Sequence, residues 1–259
     1  VTTETVRDVT ELVAVHRDTD AREVALAAYD QLLDQLERLE PEHWDEPTDC
    51  TGWDVAALVG HLLGAARSNA SVRELLRQQL HGRRHASEHD GNALDAANAL
   101  QVRDHAHLAP DERVDALRAL APRAVAGRLR TPGLVRRVRV PLDQGGDTPA
   151  GSPDGIAMDR LLDVVYTRDV WLHTVDVEQA TGVSVDRTVG PTARVLEDVV
   201  AEWAARHGRA FELVLAGAGG GRFRQGTGGP TFELDALAFA RVLSGRAPGE
   251  GLLAVRVVF

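Results

Sequence analysis

A single cysteine, Cys50, stands in a chain of 259 residues, so intrachain disulfides and a thiolate-rich metal cluster are both excluded. No apolar run approaches the ~20 residues needed to cross a bilayer. Positive charge is scarce as well. The 29 basic and 39 acidic side chains leave a formal net charge of −10, which argues against nucleic acid or an anionic membrane as partner. Lysine is missing altogether and isoleucine occurs once, at Ile156, a bias that codon usage in a GC-rich genome explains better than chemistry does. Residues 1–20 are too acidic and too weakly apolar to read as a secretory signal. What is present is 44% apolar and 26% charged residues, the balance of a globular protein long enough for two modest domains. The expected setting is a reducing, cytoplasmic compartment.

Apolar periodicity predicts helices over most of the first 185 residues. Val24, Leu32, Leu36 and their neighbours form the stripe of an amphipathic helix over residues 20–39. A second helix opens at Thr51-Gly-Trp-Asp54, a capping-box-like start, and its apolar positions continue from Val55 to Leu80. A third is expected over 92–107 and a shorter one over 111–123, after Pro110. Prolines and glycines break the pattern over 126–155, around one extended patch at 134–142. A fourth long helix is expected over 156–180, stopped by Gly182. Four long helices with one irregular crossover predict an antiparallel four-helix bundle, residues 1–184. Residues 185–259 read as a small α+β domain. It has a helix over 191–207, strands near 210–215, 222–225 and 231–234, a helix over 236–244, and a last alternating strand over 252–259.

Asp169 and His173 stand four apart on the fourth helix, so they project from one face and can grip one divalent cation. A third ligand must come from elsewhere. His61 lies among Leu58, Leu62 and Ala65, on the side of the second helix that faces the bundle interior. Two imidazoles and one carboxylate leave coordination positions open, as a catalytic site requires. Asp176 continues the Asp169 face, where a carboxylate either orients a ligand or caps a local hydrogen bond. His81, His85 and His89 recur every four residues, but in a polar stretch that reads as solvated surface. Cys50 has no His or Lys beside it in sequence to activate the thiol, so a buried structural role is expected. Gly-x-Ser-x-Gly, a phosphate loop and a dinucleotide fingerprint are all missing, and the glycine run before Arg222 reads as a hairpin turn.

Several of these segments resemble one known family. Trp44, Pro47-Thr48-x-Cys50-x-Gly52-Trp53-Asp54-Val55 and Leu58-Val59-x-His61-Leu62 are similar to the opening of the mycothiol-dependent maleylpyruvate isomerases. Arg168-Asp169-x-Trp171-x-His173-x-x-Asp176, followed by Ala180-x-Gly182, resembles the family's second signature. The glycine run 217–221, Ser244-Gly-Arg246 and the closing stretch resemble its C-terminal domain, while 109–154 match weakly.

The resemblance implies a DinB-like bundle carrying a divalent metal, usually zinc, followed by a sterol-carrier-like α+β domain. The family's metal residues fall on His61, Asp169 and His173. The family pattern has glutamate where this chain has Asp169, which is shorter by one C–C bond of about 1.5 Å. The implied chemistry is cis–trans isomerisation of a maleylpyruvate-like dicarboxylic acid, assisted by mycothiol, a low-molecular-weight thiol whose pKa the cation lowers. Arg222, Arg224 and Arg246 are the candidates for pairing with substrate carboxylates, with plain surface solvation as the alternative for each, and Arg246 and Arg222 are the ones selected. The expected partners are therefore a small anionic or electrophilic substrate and the thiol. Two other readings stay open: a thiol S-transferase that joins mycothiol to an electrophile, and a non-catalytic ligand-binding module with a structural metal.

Overall fold

The computed structural model describes residues 5–140 and 155–259. After a short strand, β1 (Val6–Asp8), come α1 (Ala21–Leu36), α2 (Val55–Ala70), α3 (Val72–His85), α4 (Ala93–His105) and α5 (Pro110–Leu129). A helical turn, α6 (Gly133–Arg136), leads to a two-residue ribbon, β2 (Arg139–Val140) against β3 (Ile156–Ala157). The chain then makes one more helical turn, α7 (Met158–Arg160), and a wide π-turn at Leu161–Val165 before α8 (Tyr166–Thr181). The closing part holds α9 (Thr192–His207), β4 (Phe211–Ala216), β5 (Gly221–Gln225), β6 (Thr231–Asp235) and α10 (Ala236–Leu243). Among the described residues, no helix is long and apolar enough to cross a membrane.

The architecture is mostly helical, with a bundle followed by a small mixed sheet, but its third bundle helix differs from the expected one. The bundle consists of α1, α2, α5 and α8: α5 packs on α1 and α2, and α8 packs on the same two helices. The segment expected as third helix, α4, instead pairs with α3 as a hairpin laid on the outer side of α2. The helix predicted to run unbroken through Leu80 divides at Ser71, whose hydroxyl accepts the Glu74 amide and starts α3. Its apolar positions Val72, Leu76 and Leu80 are exposed. Pro122 is tolerated inside α5, which therefore outruns the predicted stop at 123. The extended patch expected at 134–142 is a helical turn followed by β2, and residues 141 and 142 lie outside the described residues.

Close helix approach is what places α4. A Cβ on Gly64 would stand 3.0 Å from the Gln101 Cα and deep inside contact with its side chain. Gly64→Ala is therefore expected to cost about 1–3 kcal/mol by overpacking this crossing. Urea denaturation measures it, and an unchanged midpoint would show that α4 is free to back away.

The sheet has the order β1-β5-β4-β6, with β4 and β5 antiparallel and the outer pairs parallel. β1 comes from the start of the chain, so three residues of the expected bundle segment lie in the sheet of the second unit. The predicted strand over 252–259 does not form. A 3₁₀ turn, Gly251–Ala254, buries Leu252, and the Val257 amide bonds to the Leu243 carbonyl at the end of α10 instead of to a sheet edge. Trp203 on α9 centres this half, with Phe211 and Phe239 ring centroids at 4.6 and 5.4 Å and its indole N–H donating to the Leu252 carbonyl. One continuous apolar core joins both halves. Beside it, buried Arg168 on α8 bonds Asp198 at 2.5 Å and Glu202 at 2.7 Å on α9.

Candidate functional site

Residues from two helices converge where α8 meets α2. Asp54 caps α2 by accepting the Ala57 amide at 2.7 Å, and His61 follows two turns later. On α8, Asp169 and His173 point to the same place. His173 Nε2 lies 3.3 Å from Asp169 Oδ1, and His61 Nε2 lies 3.7 Å from Asp169 Oδ2. One ligand atom of each residue falls within 4.8 Å of the other two. These are the three residues that helical spacing and bundle orientation select from the sequence.

The other nitrogen of each ring is already engaged. His173 Nδ1 lies 2.8 Å from Asp176 Oδ2, and a carboxylate only accepts, so Nδ1 carries the proton. Asp176 is itself clasped by the Arg246 guanidinium, at 2.5 Å through Nε and 2.7 Å through Nη2. His61 Nδ1 lies 2.7 Å from Gln101 Oε1. The Gln101 amide donates at 2.7 Å to Gln78, whose own amide donates at 2.9 Å to the Gly64 carbonyl. The chain of donors makes His61 Nδ1 a donor too, so both Nε2 lone pairs face the Asp169 carboxylate.

Lone pairs set against carboxylate oxygens repel unless a proton or a cation lies between them. The electrostatics of the residues reflect this demand. Burial pushes the Asp169 carboxyl up, and the His173 and His61 rings more than reverse it, holding the group well below the usual carboxylate range. Burial pushes the His173 imidazole down, and the Asp169 charge together with the bonds to Asp169, Asp176 and Cys50 raise it well above its ordinary value. The donor set thus fits a divalent cation: two oriented imidazoles, one carboxylate and partners behind both rings. A second grouping of Cys50, His173 and Asp176 is also close enough to share an ion. It suits one less well, because the Arg246 guanidinium is 3.8 Å from Cys50 Sγ and occupies both Asp176 oxygens.

The three residues open into a cleft of about 800 Å³. The turn from Cys50 to Trp53 forms part of its wall. The Trp53 amide bonds to the Cys50 carbonyl at 2.9 Å, and Gly52, at φ +79°, supplies the left-handed residue the turn needs. Trp53 lies over His61 with ring centroids 5.1 Å apart. Cys50 is half-buried in this wall, a correction to the buried structural role expected of it, because its polar neighbours arrive from α8 and from beyond α10. Arg246 is near the site but engaged with Asp176, and Arg222 is exposed on β5 and does not line the cleft. His81 and His85 stack at 4.1 Å on α3, so the polar stretch read as solvated surface is helical there. Gln78 and Gln101 escaped sequence reasoning. The trace they leave is slight, a polar residue inside an apolar stripe, and amides there are common.

Residues 25–178 match the family described as the mycothiol maleylpyruvate isomerase N-terminal domain. The chain belongs to this family. Two solved structures share the family fold. One is the mycothiol-dependent maleylpyruvate isomerase, at 17% identity and TM-score 0.54, covering 88% of this chain and 89% of that one. The other is a histidine-to-alanine mutant of the mycothiol-dependent maleylpyruvate isomerase, at 16% identity and TM-score 0.53 with the same coverage. No curated protein matches the chain. The family match spans α1 to α8, so it includes His61, Asp169 and His173, and Arg246 falls outside it.

Proposed function

We propose that this family member is a divalent-metal-dependent enzyme that uses mycothiol, with zinc held by His61, Asp169 and His173. The observation that carries the reading is the convergence of both Nε2 atoms on one carboxylate, with each Nδ1 held by its own acceptor. A bound divalent cation supplies Lewis acidity that lowers the pKa of a thiol beside it. The chain's own residues supply orientation. Arg246 and Asp176 fix the His173 ring, Gln78 and Gln101 fix the His61 ring, and Trp53 covers the His61 face. In this reading Arg246 is a positioning residue. The cleft has room for a thiol and an electrophile together.

The reaction class is addition of the thiol to an electrophilic carbon. Elimination after rotation gives cis–trans isomerisation of a maleylpyruvate-like substrate, and release of the adduct gives S-transfer. The working domain plan is 1–184 for the metal-binding bundle and 185–259 for the α+β unit, with Val6–Asp8 lent to the second sheet. Protein purified without chelators is expected to hold one zinc per chain and to consume an electrophile only when thiol is added. A chain without metal, or turnover that ignores the thiol, would sink the reading.

A further inference from the structure

Resting on the metal- and thiol-dependent part of that reading, and against its maleylpyruvate-like branch, we infer that the electrophile is uncharged and apolar, and that a dicarboxylate is a poor substrate for this chain. Among the described residues, the charged or ionisable side chains lining the cleft, besides Cys50 and Tyr166, are Asp95, Asp169, His61, His89 and His173, and no arginine is among them. The stretches outside the described residues, 1–4 and 141–154, contain no arginine, lysine or histidine, and 141–154 carries three aspartates. Two arginines are near enough to feel the Asp169 charge, and neither lines the cleft: Arg246 is held by both carboxylate oxygens of Asp176, and Arg128 is buried behind the wall, where it donates to Thr167 at 2.7 Å.

A divalent cation would not make up the difference. Asp169 cancels half of its charge, and the remainder is needed by the thiol sulfur it has to acidify. A substrate with two carboxylates would lose its hydration in this cleft with no guanidinium to replace it, and would face Asp95 as a like charge. Apolar surface, by contrast, is plentiful. Trp53, Ile156, Leu161 and Val165 line the cleft, and Leu75 and Leu94, exposed by 37% and 55%, continue that surface on α3 and α4. Exposed leucines that run into a cleft are the surface an apolar ligand covers.

With an activated alkene the step balances without an oxidant. The sulfur forms a bond to one alkene carbon, the π pair moves to the neighbouring carbon, which takes a proton, and the thiol gives its proton to solvent. Maleate and its diethyl ester test the inference, since they share a skeleton and differ in charge. Rates with zinc-loaded protein and mycothiol are divided by the uncatalysed rate for each compound. The ester is expected to show at least a tenfold larger enhancement. Calorimetry on metal-free protein, where a carboxylate has no cation to chelate, should detect diethyl succinate and not succinate. Asn98→Arg, which puts a guanidinium on the cleft wall, should raise the maleate enhancement at least tenfold relative to the ester. A larger enhancement for maleate with the wild-type chain would overturn the substrate class and leave the thiol-dependent reading standing. Acceleration of neither compound would overturn both.

Discussion

Replacing His173 with alanine is expected to lower zinc affinity by more than a hundredfold and to abolish thiol-dependent turnover. The ring is one of three converging groups, and its loss leaves His61 and Asp169 as a bidentate remnant. The fold should survive, because Asp176 keeps both of its bonds to Arg246 and so is not left as an unpaired buried charge. His61→Ala should behave alike. Gln101→Ala is the milder member of the series. It removes the acceptor that fixes His61 Nδ1 without touching the three converging atoms. Loss of such a partner behind a ligand costs ~10–100-fold in metal affinity. Competition against a chromophoric chelator ranks the variants. If His173→Ala binds zinc as tightly as the parent chain, the site is elsewhere, and the Cys50–His173–Asp176 grouping goes with it.

Arg168→Leu is expected to be the most damaging single change outside the site. Arg168 is 1% exposed and is bonded to Asp198, Glu202 and the Val258 carbonyl, so it ties α8 to α9 and to the last residues of the chain. Removing it leaves the buried Asp198 charge with one cation, Arg160 at 3.2 Å, beside the Val15 amide at 3.4 Å. Breaking a buried pair in this way costs about 3–5 kcal/mol, which for a chain of this size lowers Tm by roughly 6–20 °C. Differential scanning calorimetry gives the value directly, and a shift under 2 °C would show that Arg160 takes over the role.

The same network sets an acid limit. Burial pushes the Glu202 carboxyl up, and Arg168, Arg160 and Arg206 bring it down to about 2, from an ordinary 4.5. A depressed folded-state value means that the stabilisation is fully present above pH 4.5 and is lost as pH falls toward 2. The Tm of the parent chain should therefore decline through that window. In Arg168→Leu the decline should be shallower, since Glu202 has one cation fewer to lose.

Much of this protein is local and so legible in one dimension. The bundle helices have apolar stripes at helical spacing, and their ends carry short-range signals. Asp54 accepts an amide three residues on, and Gly182 takes φ +74° where α8 stops. Asp169 and His173 share a face because four residues make about one turn, and His61 points inward because its neighbours Leu58 and Leu62 must. Those relations need no knowledge of the rest of the chain.

Other features depend on contacts between distant segments, and periodicity is blind to them. The choice of α5 over α4 as bundle helix follows from glycines that let α4 close onto the outside of α2 and α3, a matter of approach distance and not of hydrophobic pattern. β1 finds its place as an edge strand because β5 offers an unpaired row of backbone groups some 200 residues later. The terminal stretch alternates like a strand yet packs against α10, since the Val257 amide finds its partner at a helix end. Arg246 looked like a free guanidinium and is held by Asp176, 70 positions away in sequence. The identity of the three converging groups was therefore a local property. What stands behind them, and the charge of the cleft they open into, was decided by which distant side chains the fold brought close enough to bond.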